Sequence, residues 1–302
     1  HRLHICKKCS LCPFVVKTPL GKEVNGAKRW IRLPFNQQLQ PAEIAKIAII
    51  LFIPALICSM GKEIKPWKGI GRIMAWGGIS AAVVFLITDN LSTAIIVMGI
   101  TCILILVVHP RTKMLVGILG IIGVIGITGA RILGLILETS GSFRMRRILV
   151  WVNPEKYASE GGYQIMQALY AIGSGGFFGK GLGNSAQKMI IPEVQNDMIL
   201  SIICEELGVF GAIMVLVLFG LLLYRLLFIA QNAPDMYGSL IVTGIFAHIA
   251  LQVTLNVMVV INCIPTTGIT LPFISYGGTS VLFLMAEMGI ALGVSSRIKI
   301  TE

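Results

Sequence analysis

Seven stretches of the chain are each long and apolar enough to cross a lipid bilayer: residues 41–60, 70–88, 91–108, 113–136, 198–223, 239–262 and 272–294. A helix crosses a hydrocarbon core of roughly 30 Å with about 20 mainly apolar residues. Inside that core every backbone polar group must find its partner within the protein, and a helix provides those partners along its own length. The predicted fold class is therefore all-α, a polytopic transmembrane helical bundle. Composition agrees: 55% of the 302 residues are hydrophobic and 13% charged, against about 25% charged in a soluble domain. The net charge of +11 would point a soluble chain toward nucleic acid. Here the basic residues fall mostly between apolar runs, where they set orientation and meet anionic head groups. Membrane lipids are the expected partners, and no nucleic acid is.

Most links between the stretches are short. Asp89 and Asn90 alone separate the second and third, and 109–112 the third and fourth, so these neighbours form antiparallel hairpins. Lys62, Lys65, Lys68 and Arg72 mark one basic loop, Arg111 and Lys113 the next on the same side, then Arg225, then Arg297 with Lys299. Short basic loops stay on the cytoplasmic side, which puts the C-terminus inside. Alternation places residues 21–40 and the long segment 137–197 outside, although Lys22, Lys28, Arg29 and Arg32 oppose that side for the first. The chain reads as a single membrane domain over 1–302. It divides into an atypical N-terminus and outer loop (1–40), four spans (41–136), a large outer loop with the catalytic region (137–197), three spans (198–296) and a cytoplasmic tail (297–302).

Cys6, Cys9 and Cys12 form a C-x-x-C-x-x-C run near His1 and His4, but no second cluster supplies the remaining ligands of a zinc site. Cys58, Cys102, Cys204 and Cys263 sit in or beside apolar runs and read as small buried hydrophobes. The outer segment holds eight glycines between Gly161 and Gly183, with Pro154 and Pro192. Tyr163 to Ile172 has the pattern of a short amphipathic helix, and Gly173 to Gly183 that of a backbone-rich loop able to approach a ligand closely. Phe177, Phe178 and Leu182 within it are large apolar anchors, which flexible linkers lack.

Ionisable residues near a span are costly and usually functional. Pro41 suits a first helical turn, which places Glu43 where the helix dipole favours an anion. Lys46 lies three residues on, on the same face and near the wrong end of the dipole. An ion pair that lets the helix insert is one reading, and a catalytic pair the other. Asp197 stands at the outer mouth of the fifth stretch, either as an N-cap or facing Glu43 and Lys46. Glu205 and Glu206 lie about 12 Å deeper; a role in catalysis and a pairing with His248, Gln252 or Asn256 both remain open. Pro265 to Ser280 is a small-residue loop suited to close packing or to lining a wet cleft.

Four ordered blocks carry a resemblance. They are Asn25-Gly-Ala-Lys-Arg-Trp-Ile31 with Gln40-Pro-Ala-Glu-Ile-Ala-Lys46; Gly162-Tyr-Gln-Ile-Met-Gln-Ala-Leu169 with the glycine loop; Pro192 to Gly208; and Pro265 to Ser280. Together they resemble the shape, elongation, division and sporulation (SEDS) family of peptidoglycan glycosyltransferases, the FtsW/SpoVE/RodA-like proteins, from Val24 to Ser296. The resemblance implies a ten-span fold with both termini inside, of which about seven spans are present here. Residues 1–20, with Arg2, Lys7, Lys8 and Lys17, do not read as a span, so the first three are expected to be absent or replaced. Family placement also puts residues 21–40 outside despite their charge.

Resemblance further implies a multi-pass protein of the bacterial cytoplasmic membrane that polymerises lipid II, a disaccharide-peptide on a polyprenyl pyrophosphate. The family's essential Asp falls at Asp197, within Gln195-Asn-Asp-Met-Ile199 where the family carries a His-Thr-Asp-Phe-Ile-like run. On this reading Asp197, Lys46 and Glu43 are catalytic: Asp197 as general base, Lys46 offsetting pyrophosphate charge, Glu43 orienting Lys46. Trp30, Arg29, Gln164, Gln167, Lys180, Lys188 and Ser275 are the expected substrate-binding residues. The metal site is unknown; a divalent cation, Mg or Mn, is the one cofactor left open. Asp89-Asn-Leu-Ser-Thr-Ala94, in place of the family's Asp-Leu-Gly-Thr-Ala, inclines the chain toward the division and sporulation branch. A class B penicillin-binding transpeptidase and other division or elongation proteins are the implied partners. Two rival readings are a lipid II flippase and a non-catalytic scaffold for the transpeptidase.

Overall fold

The computed structural model describes residues 21–24, 27–32, 38–61, 67–88, 90–110, 112–136, 143–191 and 194–298. The N-terminal cysteine and histidine run, Lys62, Lys65, Asp89, Arg111, Pro192 and Lys299 lie outside them. Nine helices follow one another among the described residues: α1 (Pro41–Met60), α2 (Trp67–Thr88), α3 (Leu91–Val108), α4 (Thr112–Ile136), α5 (Phe143–Val152), α6 (Gly162–Gly175), α7 (Ile199–Asn232), α8 (Met236–Val260) and α9 (Gly278–Ser295). All but α5 and α6 are long and apolar enough to cross a membrane. The seven-span reading thus holds, with shifted ends. The last span begins at Gly278 rather than 272 because the preceding loop keeps its backbone polar groups for other partners: the Leu271 N–H donates to Ser275 Oγ at 2.7 Å and the Tyr276 N–H to Gln195 O at 2.8 Å.

Ahead of α1 lies an element the all-α expectation did not include. Strands β1 (Gly21–Val24), β2 (Ala27–Arg32) and β3 (Gln38–Leu39) form a small antiparallel sheet in that order. Val24 pairs with Ala27 and Gly21 with Ile31.

The chain forms two compact units. The first comprises His1–Pro110, Arg225–Leu251 and Gly277–Glu302; the second comprises Arg111–Tyr224 and Gln252–Tyr276. In the first, α1 packs on α2, α3 and α9, and α2 on α3. Helix α1 buries Ala42, Lys46, Ile49, Ile50, Ile53 and Ile57, the three- and four-residue spacing of one helical face. Gly77 permits the closest approach of the α2–α3 hairpin, since a Cβ there would stand 2.5 Å from Thr101 Cγ2. In the second unit, α5 packs against α4, with the Arg131 guanidinium 4.8 Å above the Trp151 ring. A buried cluster of Ala168, Ile191, Val194, Met198, Ile202 and Val259 joins α6, the α6–α7 connection, α7 and α8. The expected amphipathic helix is α6, which buries Ile165, Ala168, Ala171 and Gly175.

Of the four cysteines expected to be buried, Cys204 is; Cys102 is half-buried, and Cys58 and Cys263 are exposed. An apolar run in a membrane protein turns part of its surface toward lipid, so apolar surroundings in sequence do not imply burial in the chain.

Candidate functional site

Asp197 sits in the turn that leads into α7. Two polar side chains of the second unit hold it. Gln164 on α6 donates from Nε2 to Asp197 Oδ1 at 3.5 Å, and Asn256 on α8 donates from Nδ2 to the Asp197 backbone oxygen at 2.8 Å. Asn256 is fully buried and its Nδ2 also reaches Ile269 O at 2.8 Å. One amide therefore ties the aspartate turn to the loop that follows α8. Gln252, one turn earlier on α8, donates to Thr270 O at 3.1 Å. From the other side, Arg147 donates to Thr266 O at 3.2 Å and Trp151 Nε1 to Asn262 O at 3.1 Å. Buried carbonyls in an irregular loop need such donors, and α5 and α8 supply them.

The glycine-rich segment is fixed by an exchange of backbone bonds with α7. At Gly208 the helix is broken, with φ 71° and ψ −172°, a region essentially closed to side chains. Val209 and Phe210 N–H groups, which a continuous helix would give to Glu205 and Glu206, donate instead to Gly176 O at 3.0 Å and Phe177 O at 3.1 Å. In return Lys180 and Gly181 donate to Glu205 O at 3.0 Å and Glu206 O at 2.9 Å. Close approach is needed on both sides: a Cβ at Gly179 would stand 2.2 Å from Glu206 O, and one at Gly175 2.0 Å from Cys204 O.

Beside this seam lies the carboxylate of Glu205, fully buried. Its Oε1 accepts from Lys180 Nζ at 2.6 Å, Ser174 Oγ at 3.4 Å and the Ala186 N–H at 3.3 Å. Its Oε2 accepts from Ser185 Oγ and from the Gln187 N–H at 3.3 Å. Five donors from residues 174–187 thus converge on one side chain. The polar residues considered as partners for these acids have others. His248 lies 2.8 Å from Glu287 Oε2 in the first unit, and Gln252 and Asn256 bond the loop carbonyls described above.

Glu43 and Lys46 form the expected i, i+3 pair on α1, 2.8 Å apart and both buried. They belong to the first unit. Pro41 stands at the start of α1 and Glu43 in its first turn, where the dipole favours the acid. Among the expected substrate residues, Lys180 is engaged by Glu205, Lys188 is exposed, and Gln167 is half-buried on α6. Ser275 is buried with its hydroxyl accepting from Leu271. Arg29 and Trp30 fall in β2; their side chains lie outside the described residues. No three His, Cys, Asp or Glu side chains come together to hold a metal ion among the described residues.

Ser185 and Arg147 carry no sequence signal that marks them as parts of this site, and Asn256 stands in the sequence only as a possible partner for Glu205 or Glu206. The usable signal was Gln252 with Asn256, two amides at i, i+4 on one face of an apolar span, where a polar group needs a partner.

Seven apolar helices, with a polar site built where the long connection enters one of them, define a polytopic membrane protein. Residues 5–300 match the family model of the FtsW, RodA and SpoVE cell cycle proteins. The stage V sporulation protein E of Bacillus subtilis is 39% identical over 289 residues, covering 94% of this chain and 76% of that protein. A probable peptidoglycan glycosyltransferase FtsW of Trichlorobacter lovleyi is 36% identical over 299 residues, covering 96% and 74%. Among solved structures, a chain from work on structural coordination of polymerization and crosslinking by a peptidoglycan synthase complex is similar with a TM-score of 0.72 at 25% identity, covering 96% of this chain and 79% of that one. The rod shape determining protein RodA of Thermus thermophilus, at 24% identity, shares the fold with a TM-score of 0.57, covering 96% and 75%. The chain belongs to the FtsW/RodA/SpoVE family. It is a multi-pass protein of the cytoplasmic membrane, and the resemblance read from the four sequence blocks holds.

Proposed function

We infer that the chain is a peptidoglycan glycosyltransferase that polymerises lipid II into glycan strands at the outer face of the cytoplasmic membrane, in division or sporulation. Family membership carries the glycosyltransferase reading. The site chemistry is supported by one arrangement above all: a carboxylate at the head of a span, its backbone pinned by Asn256 and its side chain by Gln164. A base must be held where it can meet a substrate hydroxyl. Asp197 takes the proton of the acceptor sugar hydroxyl. The oxygen then attacks the anomeric carbon of the donor, and the bond to the polyprenyl pyrophosphate breaks with its electron pair leaving on the phosphate. Configuration inverts in this single displacement. Lys46 offsets the charge of the leaving group, and Glu43 orients Lys46. A buried ammonium that opposes its helix dipole gains most from an anionic partner of this kind.

Partnership follows from the same kinship. The similar chain in the peptidoglycan synthase complex works where polymerization and crosslinking are coordinated; for this chain the partner is a class B penicillin-binding transpeptidase. Asp197→Asn is the test, because Asn keeps the volume and an oxygen that can accept from Gln164 while losing the base. With the transpeptidase present, lipid II polymer should fall by about 10²- to 10⁴-fold while the amount of inserted protein is unchanged. Normal polymer from the Asn variant rejects Asp197 as the base. Lipid II translocation without polymer from the unsubstituted chain supports the flippase instead.

A further inference from the structure

Two buried oxygens beside the aspartate turn lack donors. Gln252 and Asn256 stand four residues apart on α8, on one face of that span, and are 3% and 0% exposed. Each amide nitrogen is engaged. Gln252 Nε2 donates to Thr270 O at 3.1 Å and to Thr270 Oγ1 at 3.3 Å, and Asn256 Nδ2 donates to Asp197 O and Ile269 O, both at 2.8 Å. Carbonyl neighbours of this kind decide which end of an amide is nitrogen, because the reverse setting would bring oxygen against oxygen. The other ends, Gln252 Oε1 and Asn256 Oδ1, are buried with no hydrogen-bond partner among the described residues.

Residues 252 and 256 lie about 6–12 Å short of the outer end of α8 at ~1.5 Å per residue, within a span, where a polar group must be satisfied inside the protein. What the two oxygens need is a donor each. One water molecule supplies both: with a bond of about 2.8 Å to each oxygen it bridges acceptors roughly 4.5 Å apart. That matches side chains whose Cβ atoms stand ~5–6 Å apart at this spacing. The two nitrogens meet consecutive residues of the loop, Ile269 and Thr270, which keeps the two amide heads side by side. A hard divalent cation takes about six or more oxygens, carboxylates among them; this pair offers two neutral ones. Buried waters satisfy groups of this kind.

We propose that one buried water is held between Gln252 Oε1 and Asn256 Oδ1, and that Gln252 acts through it as a positioning residue for Asp197. The water fixes the rotation of the Asn256 amide from its oxygen end, as the Asp197 and Ile269 carbonyls fix it from the nitrogen end. Asn256 in turn holds the backbone of the aspartate turn, so the carboxylate owes its placement to a hydrogen-bonded chain that begins at Gln252. The positioning role rests on the reading of Asp197 as the base; the water does not.

The test uses the full chain with its transpeptidase partner in nanodiscs. Gln252→Leu should lower the kcat of lipid II polymerisation about tenfold, the net worth of roughly one hydrogen bond. KM should stay within about twofold, and the amount of inserted protein should not change. In an Asn256→Leu background the same substitution should have almost no further effect on kcat, since the link to Asp197 is already cut. An equal loss in both backgrounds overturns the positioning role, as does a Gln252→Leu variant whose only defect is less inserted protein. The water is read without turnover, by synchrotron hydroxyl-radical labelling in heavy-oxygen water. Ile269 and Leu271, 5% and 1% exposed, should take up the label in the folded chain and lose most of it in Gln252→Leu or Asn256→Leu. No label in the unsubstituted chain, or label that survives both substitutions, overturns the water. Polymerisation that rises saturably with sodium or potassium, and loses that dependence in Gln252→Leu, puts a cation between the oxygens and overturns it too. A chain that labels as expected yet never polymerises lipid II refutes the enzyme and keeps the bridged pair. A polymerising chain without the label refutes the bridged pair alone.

Discussion

Glu287 and Glu205 are both almost wholly buried acids on membrane-spanning helices, yet they are satisfied in different ways. Glu287 on α9 meets one side chain, His248 on α8, at 2.8 Å, and both are about 1% exposed. The other ring nitrogen, His248 Nε2, is buried with no hydrogen-bond partner among the described residues. Glu205 on α7 meets Lys180, Ser174, Ser185 and two backbone N–H groups. A two-body pair links helix to helix and concerns nothing else. A carboxylate that collects donors from fourteen consecutive residues, 174–187, is the folding instruction for that segment. Burial of a charge says only that a partner exists; the number and origin of the donors say what the charge is for.

The largest expected effect separates these two cases. His248→Leu leaves Glu287 buried without its partner, which should cost about 3–5 kcal/mol, whereas replacing both by leucine should recover most of the loss, since an apolar pair of similar volume is often as stable as a buried ion pair. Lys180→Leu with Glu205→Leu should show no such recovery. Ser185 and the N–H groups of Ala186 and Gln187 remain without an acceptor, at about 1–3 kcal/mol for each that stays buried. Thermal unfolding of the four single and two double variants in detergent measures both cycles. Recovery in the Glu205 double variant would reduce that carboxylate to an ordinary pair and break the contrast.

A smaller effect is expected at the seam where the connection meets α7. Gly208→Ala places a Cβ at a positive φ and 2.3 Å from Phe177 O, a backbone atom held by the exchanged hydrogen bonds. About 2–3 kcal/mol should be lost. Gly181→Ala keeps a positive φ of 95° but meets only the end of the Asn184 side chain, at 3.1 Å, and should cost about 1–2 kcal/mol. Equal losses at the two positions, read from the same unfolding transitions, would show that the exchange of backbone bonds adds nothing to the glycine requirement.

Seven spans were legible in the sequence because length and hydropathy report membrane crossing directly, and the four motif blocks carried the family. The seam was less so. Glycines 175, 179 and 208 are visible as residues, but their pairing across the chain depends on a helix break that nothing in the apolar run 199–223 announces; the intrinsic pattern there is continuous. Lys180 illustrates the limit. A lysine in a glycine-rich loop reads as a ligand for phosphate, and only the three-dimensional arrangement reveals Glu205 within 2.6 Å. The small sheet at 21–39 is hidden in the sequence because charge, with Lys22, Glu23, Lys28, Arg29 and Arg32, masks any alternation in that segment.

The smallest expected effect lies in the first unit, and it sharpens the contrast by being a close approach without a seam. Gly99 on α3 faces Leu251 on α8, where a Cβ would come within 2.6 Å of Leu251 Cδ1. By distance alone Gly99→Ala resembles Gly208→Ala. The obstacle, however, is the tip of a flexible side chain, the residue lies in regular helix, and no backbone bond depends on it. Leu251 can turn to another rotamer at a modest packing cost of about 1 kcal/mol, while alanine in place of glycine returns up to about 1 kcal/mol of helix propensity. The two terms nearly cancel, so the unfolding temperature of Gly99→Ala should stay within a few degrees of the unsubstituted chain. A loss as large as that of Gly208→Ala would mean that this packing cannot give, and that helix-to-helix contacts in the first unit are as exacting as the backbone exchange in the second.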